Sequence, residues 1–337
     1  MKNLRIISLI LSLSILLSAC SAGVSQVTND EKPEELHKVK ISTINTVSWA
    51  PVFIAKTEGF FEKNGLDVEF TTPGGPKGFQ AMHAGDVEFS MLSQEPLLIA
   101  QEKGMKSKII ATLLETRVYG LISKKDITSI QQLKGHKLFA SDPGSAPYVF
   151  VDNVLRKDGI DPLKDVQYIN MADQNAGLQA FAKGEVDAAF VNVTNLPMIK
   201  GTEYNILADT TTPDGSEKYL GSVDFPGEMI CITEKYAKEN PEIIQKFVTS
   251  VIQSQKWISE HSSDEIAASL KTVFGQVEES VIKEQIDIIR DKFSLSGMIT
   301  DKGQQAVVDM LIEAGVIKTQ IPYADVIDMT FVNEANK

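Results

Sequence analysis

Between Lys40 and Phe70 the spacing of apolar positions changes twice. Residues 41–45 read as a short strand. Ala50, Phe53, Ile54, Thr57, Phe60 and Phe61 then fall at offsets of zero, three, four, seven, ten and eleven, the stripe of a helix with one buried face. Pro51 suits the first turn, where a missing N–H is harmless. Gly65 follows the last periodic residue as a left-handed cap would, and residues 66–70 form a second apolar run. The unit is strand, helix, strand. Its first turn, Ser48-Trp49-Ala50, falls outside the carboxyl end of a strand, where open α/β sheets bind ligands.

The same order recurs at residues 87–92 then 94–102, 136–141 then 145–157, and 186–191 then 194–200. Such alternation predicts an α/β fold with mostly parallel sheets covered by helices. Residues 108–115 and 118–123 read as adjacent strands, and 228–233 as a returning strand able to lie beside 121–123. Residues 210–218 and 225–228 break all periodicity, so the chain is expected to cross there between two domains, with a hinge. The C-terminal third is helical. Asn240 and Pro241 make a cap and first residue, and Ile243, Ile244, Phe247, Val248, Val251 and Ile252 mark a buried face. Further helices at 264–274, 278–292 and 301–314 are expected to pack on the first domain.

Several of these stretches resemble one family. A-P-V-F-I-A-K-T-E-G-F-F-E-K-N-G-L-D-V from Ala50, P-G-G-P-K-G from Pro73, A-G-D-V-E-F-S-M-L from Ala84 and G-E-V-D-A-A-F-V from Gly184 are similar to motifs of the nitrate, taurine and aliphatic sulfonate solute-binding proteins. That family also includes binders and makers of the thiamine pyrimidine. The resemblance covers about residues 40–235. It implies a two-domain periplasmic-binding-protein-like fold of type II, with domain I from 39–123 plus 228–325 and domain II from 124–227. It also implies a monomer that delivers a small molecule to an ABC permease and its ATPase, without catalysis. Pyrimidine-making relatives carry a His-x-Gly where this chain has Trp49-Ala50-Pro51, which weighs against an enzyme. A small anion such as a sulfonate is the expected ligand, with a flat heteroaromatic as the alternative.

Residues 1–19 read as a signal peptide. Lys2 and Arg5 precede an apolar run that is too short to span a bilayer, and L-S-A-C resembles the lipoprotein processing site, implying lipid on Cys20. Residues 20–38 are polar and aperiodic, a tether to the outer face of a membrane. The other cysteine, Cys231, lies in the apolar run M-I-C-I-T and is expected to be a small buried hydrophobe. Net charge is -12, with no basic cluster, which argues against a nucleic-acid partner.

Candidate ligand residues sit in the turns after strands. Pro51, Pro76, Pro96, Pro147 and Pro197 lie near helix starts, so several helix N-termini could converge on an anion. Ser48 offers a hydroxyl, and Trp49 either a flat wall or core packing. Gly74 and Gly75 permit close backbone approach. Ser93, Gln94 and Glu95 precede Pro96 and face the expected cleft; the Glu95 carboxylate favours a cation or a donating ring. Arg117 suits a sulfonate or a hinge salt bridge, and Tyr119 a stacked ring or hinge packing. Gly144 and Ser145, then Asn192 and Thr194, supply turn and cap groups from the second domain. His37, His83, His136 and His261 show no ligand spacing and there is no Cys pair, so neither a metal nor another cofactor is expected.

Overall fold

The computed structural model describes residues 35–72, 74–171 and 173–337. The expected leader, Cys20 and residues 20–34 of the expected tether lie outside the described residues, as does Pro73. The tether ends sooner than expected, because strand β1 (His37–Ser42) already pairs His37 with Leu66 and Lys38 with Asp67 of β2 (Leu66–Thr71).

Two five-stranded sheets follow one plan. The first contains β1, β2, β3 (Phe89–Leu92), β4 (Ser107–Thr112) and β10 (Met229–Thr233), in the order β2-β1-β3-β10-β4. The second contains β5 (Tyr119–Ser123), β6 (Lys137–Phe139), β7 (Gln167–Ile169), β8 (Ala188–Asn192) and β9 (Asn205–Asp209), in the order β7-β6-β8-β5-β9. In each sheet four strands run in one direction. The fourth in the order, β10 or β5, is antiparallel to both of its neighbours.

That plan corrects the expected strand pairing. β10 lies between β3 and β4, while β5 is bonded to β8 and β9 of the second sheet and not to β10. Residues 119–123 were expected in the first domain, yet their hydrogen bonds place them in the second sheet. Both runs are apolar and buried along nearly their whole length, so either composition would serve as the centre of either sheet. The chain thus passes between sheets twice, through residues 113–118 and 210–228.

Ten helices of eight or more residues cover the sheets among the described residues: α1 (Ala50–Thr57), α2 (Gly75–Ala84), α3 (Gln94–Glu102), α4 (Ala146–Lys157), α5 (Gln174–Ala182), α6 (Pro213–Leu220), α7 (Pro241–Glu260), α8 (Ser263–Phe274), α9 (Glu279–Ile289) and α10 (Asp301–Glu313). The helix expected from Ala50 to Phe61 is broken. Gly59 adopts a left-handed φ of 72° and separates α1 from a short turn of helix, Phe60–Lys63, so the chain bends while Phe53, Ile54 and Phe61 stay buried. The stretch expected to be irregular, 210–218, contains most of α6. Its cap comes from Thr212, whose hydroxyl accepts from the Gly215 amide at 3.2 Å. Residues 194–200, expected to be helical, form a 3-10 turn, Val193–Ile199, around Pro197.

The long helix α7 lies on α1, where the Ser254 hydroxyl donates to the Pro51 carbonyl at 2.6 Å. α9 departs from the expectation that the C-terminal helices serve only the first half. Gln285 on α9 donates to Asn195, beyond β8 of the second sheet, at 3.1 Å. Cys231 is fully buried in β10, as expected.

Candidate functional site

The carboxyl ends of β1 and β3 lie side by side, because the parallel register pairs Ile41 with Phe89 and Ser42 with Ser90. Ser42 donates to Ser90 between their hydroxyls at 2.9 Å. The turns that follow, 43–49 and 93–94, are therefore neighbours. A third turn is pressed against them at Gly74. A Cβ there would stand 2.6 Å from the Thr43 carbonyl carbon and 2.7 Å from the Ile44 side chain. Gly75 follows at a left-handed φ of 62° and opens α2. The glycine pair thus has a packing reason of its own: it lets this turn close on the backbone after β1.

In the second sheet, Tyr119 at the start of β5 pairs directly with Asn192 at the end of β8. Three contacts join that pair and the neighbouring Arg117 to the first-sheet turns. The Asn192 amide donates to the Ser48 hydroxyl at 2.9 Å. Arg117 Nη2 donates to Glu95 Oε2 at 2.9 Å, with both side chains about 1% exposed. The Ser93 side chain lies against the Tyr119 hydroxyl. These residues make a closed circuit, from Ser48 through Asn192, Tyr119 and Arg117 to Glu95 and back through β3 and β1. Six of the expected ligand residues lie on it, and Gln94 stands between two of them.

Most of the circuit is already committed. Asn192 Oδ1 accepts from the Thr194 amide at 3.2 Å and the Thr194 hydroxyl at 2.7 Å. Arg117 uses its other nitrogens as well, donating from Nε to the Pro226 carbonyl at 2.9 Å and from Nη1 to the Tyr119 hydroxyl at 3.0 Å. Its guanidinium lies 5.4 Å from the Phe225 ring centre. Of the two roles open to Arg117, the structure shows the salt bridge, which ties the first crossing to α3, while the bond to Pro226 ties the two chain crossings together. Burial opposes its charge, but Glu95, Tyr119 and Glu228 outweigh burial and hold it charged. Burial pushes the Tyr119 phenol up from its ordinary range. Burial likewise raises the Glu228 carboxyl to about 7, although Arg117 pulls the other way.

Gln94 differs from its neighbours. The side chain has 0% exposure, and neither Nε2 nor Oε1 has a partner among the described residues. The Thr46 hydroxyl, on the adjoining turn after β1, is also buried without a partner. Such groups are uncommon in folded proteins and each calls for a reason.

The remaining candidates have packing or capping contacts of their own. Trp49 is 1% exposed and packs with the core at the start of α1. The Ser145 hydroxyl donates to the Asp142 carbonyl at 2.6 Å and accepts from the Tyr148 amide at 3.4 Å, so it caps α4. Gly144 takes a left-handed φ of 81° in the turn before it. Pro51, Pro76 and Pro147 are each second in their helices, and Pro96 third. Sequence reasoning missed Thr46, Glu228 and Ser141. Ser141 is buried at a left-handed φ of 66°, a strained conformation in the turn after β6. No group of three or more metal-ligating side chains occurs among the described residues.

Residues 46–264, well over half of the chain, match the model of the NMT1/THI5-like family. This chain belongs to that family. Among its relatives, the NMT1/THI5-like chain is 26% identical over 306 residues to "Putative binding protein YtlA" of Bacillus subtilis, covering 88% of this chain and 90% of the relative. It is 25% identical over 341 residues to a putative aliphatic sulfonates-binding protein of the same organism, covering 97% and 96%. A formylaminopyrimidine-binding protein of Halalkalibacterium halodurans is 21% identical over 308 residues, covering 87% of each. The family also contains enzymes: a 4-amino-5-hydroxymethyl-2-methylpyrimidine phosphate synthase of Saccharomyces cerevisiae is 24% identical over 220 residues, 62% of each chain. Two solved structures share the fold. The alkanesulfonate-binding protein of Xanthomonas axonopodis, bound to MOPS, superposes with a TM-score of 0.69 at 18% identity, covering 88% of this chain and 99% of that one. The nitrate-binding protein of Synechocystis does so with 0.71 at 16% identity, covering 89% and 88%. The NMT1/THI5-like chain therefore has the periplasmic-binding-protein fold.

Proposed function

We propose that this protein is the solute-binding component of an ABC importer, which holds a small molecule between its two sheets at the Ser48–Asn192 and Glu95–Arg117 junction. The observation that carries the reading is the fully buried, unpartnered Gln94 amide beside that junction. A polar group left unpaired in the interior costs about 1–3 kcal/mol, a cost that a bound solute removes. Relatives named as binding proteins extend over nearly the whole chain, whereas the synthase relatives match a shorter part. Trp49 in place of the histidine expected of pyrimidine-making relatives also favours binding over catalysis.

The two crossings, 113–118 and 210–228, act as a hinge between domains built on the two sheets. Ligand would shift the balance towards the closed form, which the permease distinguishes from the open one. The protein works as a monomer on the outer face of the membrane, anchored by lipid on Cys20. In that case Cys20→Ser moves the protein from the membrane fraction to the soluble one; retention by membranes would sink the anchor.

The deciding experiment incubates the full chain with a small-molecule extract of cells, removes unbound material and identifies what is retained by mass spectrometry. One solute should be held in near-stoichiometric amount. Asn192→Ala, which removes the bond to Ser48, should weaken its binding by about tenfold, the equivalent of one hydrogen bond. Retention of no small molecule at all would remove the solute-binding reading.

A further inference from the structure

The chain crossings join the two sheets covalently, but another join does not depend on them. Beyond β8 the 3-10 turn Val193–Ile199 leaves the second sheet and rests on α9, a helix from the part of the chain that follows β10. α9 belongs with the first sheet: it packs on α8, and α8 packs on α1, where the Ser269 and Thr57 hydroxyls share a hydrogen bond of 2.6 Å.

The bonds across this seat are made by side chains. Gln285 Nε2 of α9 donates to Asn195 Oδ1 at 3.1 Å, and Asn195 Nδ2 donates to Asn175 Oδ1 at the head of α5 at 3.3 Å. Gln285 and Asn195 are 6% and 8% exposed. At the far end, Lys200 and Glu284 form an exposed ion pair at 3.3 Å. At the near end, the Thr194 hydroxyl donates to Asn192, whose amide reaches Ser48. The turn is thus held from the first half of the molecule at Asn192 and again at Asn195 and Lys200.

Such bonds suit a contact that parts and re-forms. When the two sides separate, water takes over each amide, so each bond contributes only the small net difference between the two partners. The exposed ion pair contributes less still. The buried pair Arg117 and Glu95 is of the opposite kind, since stripping either of its partner leaves a buried charge uncompensated.

We infer that the seat of residues 193–200 on α9 is a latch, a non-covalent contact apart from both crossings that opens and recloses as the two sheets part and meet, and so sets how much of the protein is closed. This rests on the hinge of the solute-binding reading, but its test needs no solute. Gln285 acts in it as a positioning residue, holding the turn through Asn195. Loss of the latch lowers the apparent affinity for every solute by the same factor, the fraction of molecules still closed.

The test measures closure directly, by electron–electron distance spectroscopy on the full chain carrying Cys20→Ser, spin-labelled at Lys77→Cys of α2 and Gln179→Cys of α5. Both positions are exposed, and Cys231 is fully buried. α2 follows β2 and α5 follows β7, which begin their sheets at the edge away from β10 and β5, so parting of the sheets moves the labels. Gln285→Ala should raise the open share relative to the closed by about tenfold, the equivalent of one hydrogen bond. Lys200→Glu, at an exposed position that leaves folding intact, should shift it the same way by less, and adding Glu284→Lys should reverse that shift. Distances unchanged in both single variants would overturn the latch, as would a Lys200→Glu shift that Glu284→Lys fails to reverse. A lower melting temperature with unchanged distances would overturn it too, leaving α9 as a support for the turn. In each case a solute retained from the cell extract would still uphold the solute-binding reading, so the two can fail separately.

Discussion

Replacing Arg117 with methionine is expected to destabilise the protein by about 3–5 kcal/mol, because it leaves the Glu95 carboxylate buried without its partner. The two side chains are each about 1% exposed and bonded at 2.9 Å. Methionine restores the apolar length of arginine but none of its bonds to Pro226, Tyr119 and Glu95. The loss should appear in urea denaturation as a lower midpoint at an unchanged slope. The double variant Arg117→Met with Glu95→Leu should recover much of it, since two apolar groups in place of a buried pair are often neutral. A double-mutant cycle measures that coupling directly. If Arg117→Met alone stays within about 1 kcal/mol of the wild type, water reaches the pair and the junction is looser than its burial indicates. The same double variant lacks one of the contacts between the sheets, so it should bind solute more weakly than its stability alone would suggest.

Glu228→Gln should be nearly neutral in acid and stabilising in mild alkali. Burial raises the folded carboxyl from its ordinary 4.5 to about 7, with Arg117 opposing and Glu95 adding to the rise. Between those values the folded protein holds a proton that the unfolded chain has released. Wild-type stability therefore falls as pH climbs through that window, and the full contribution is present only below it. Integrated over the shift, the loss is about 3 kcal/mol. Glutamine does not titrate. Denaturation near pH 8 should show the variant more stable by about that amount, and near pH 4.5 the two should converge. A difference that does not vary with pH would mean that the Glu228 carboxylate is solvated in the folded state.

The two effects have one origin. Residues 113–118 and 225–228 bring the Arg117 guanidinium and the Glu228 carboxyl against Glu95 of α3, in a place where all three are buried. Glu95 is also the sequence neighbour of Gln94.

Local pattern was enough for much of this. The 3.6-residue stripe from Ile243 to Ile252 and the Asn240-Pro241 start predicted α7, whose buried face includes Ile244, Phe247, Val248 and Val251. The bounds of α3 agree with its pattern to the residue. Of the candidates read from the turns after strands, Ser48, Ser93, Glu95, Arg117, Tyr119 and Asn192 come together. Helix periods, caps and prolines act over a few residues, so a sequence displays them directly.

Partnership was not legible. Residues 119–123 and 229–233 are both short apolar runs, and only hydrogen bonds to β8 and β9, or to β3 and β4, decide which sheet each enters. Trp49 and Gln94 illustrate the same limit within the site. Trp49 in its turn reads equally as ligand wall or core, and it is 1% exposed; Gln94 at a helix start reads as facing the cleft, and it is a buried amide without a hydrogen-bond partner among the described residues. By itself the sequence determined most of the elements, their order and the turns that follow the strands, because those follow from short-range sterics and periodicity. Only the tertiary structure decided which charges cancel and which polar group remains unpaired, because burial and pairing are made by residues distant in the chain, Arg117 with Glu95 and Asn192 with Ser48.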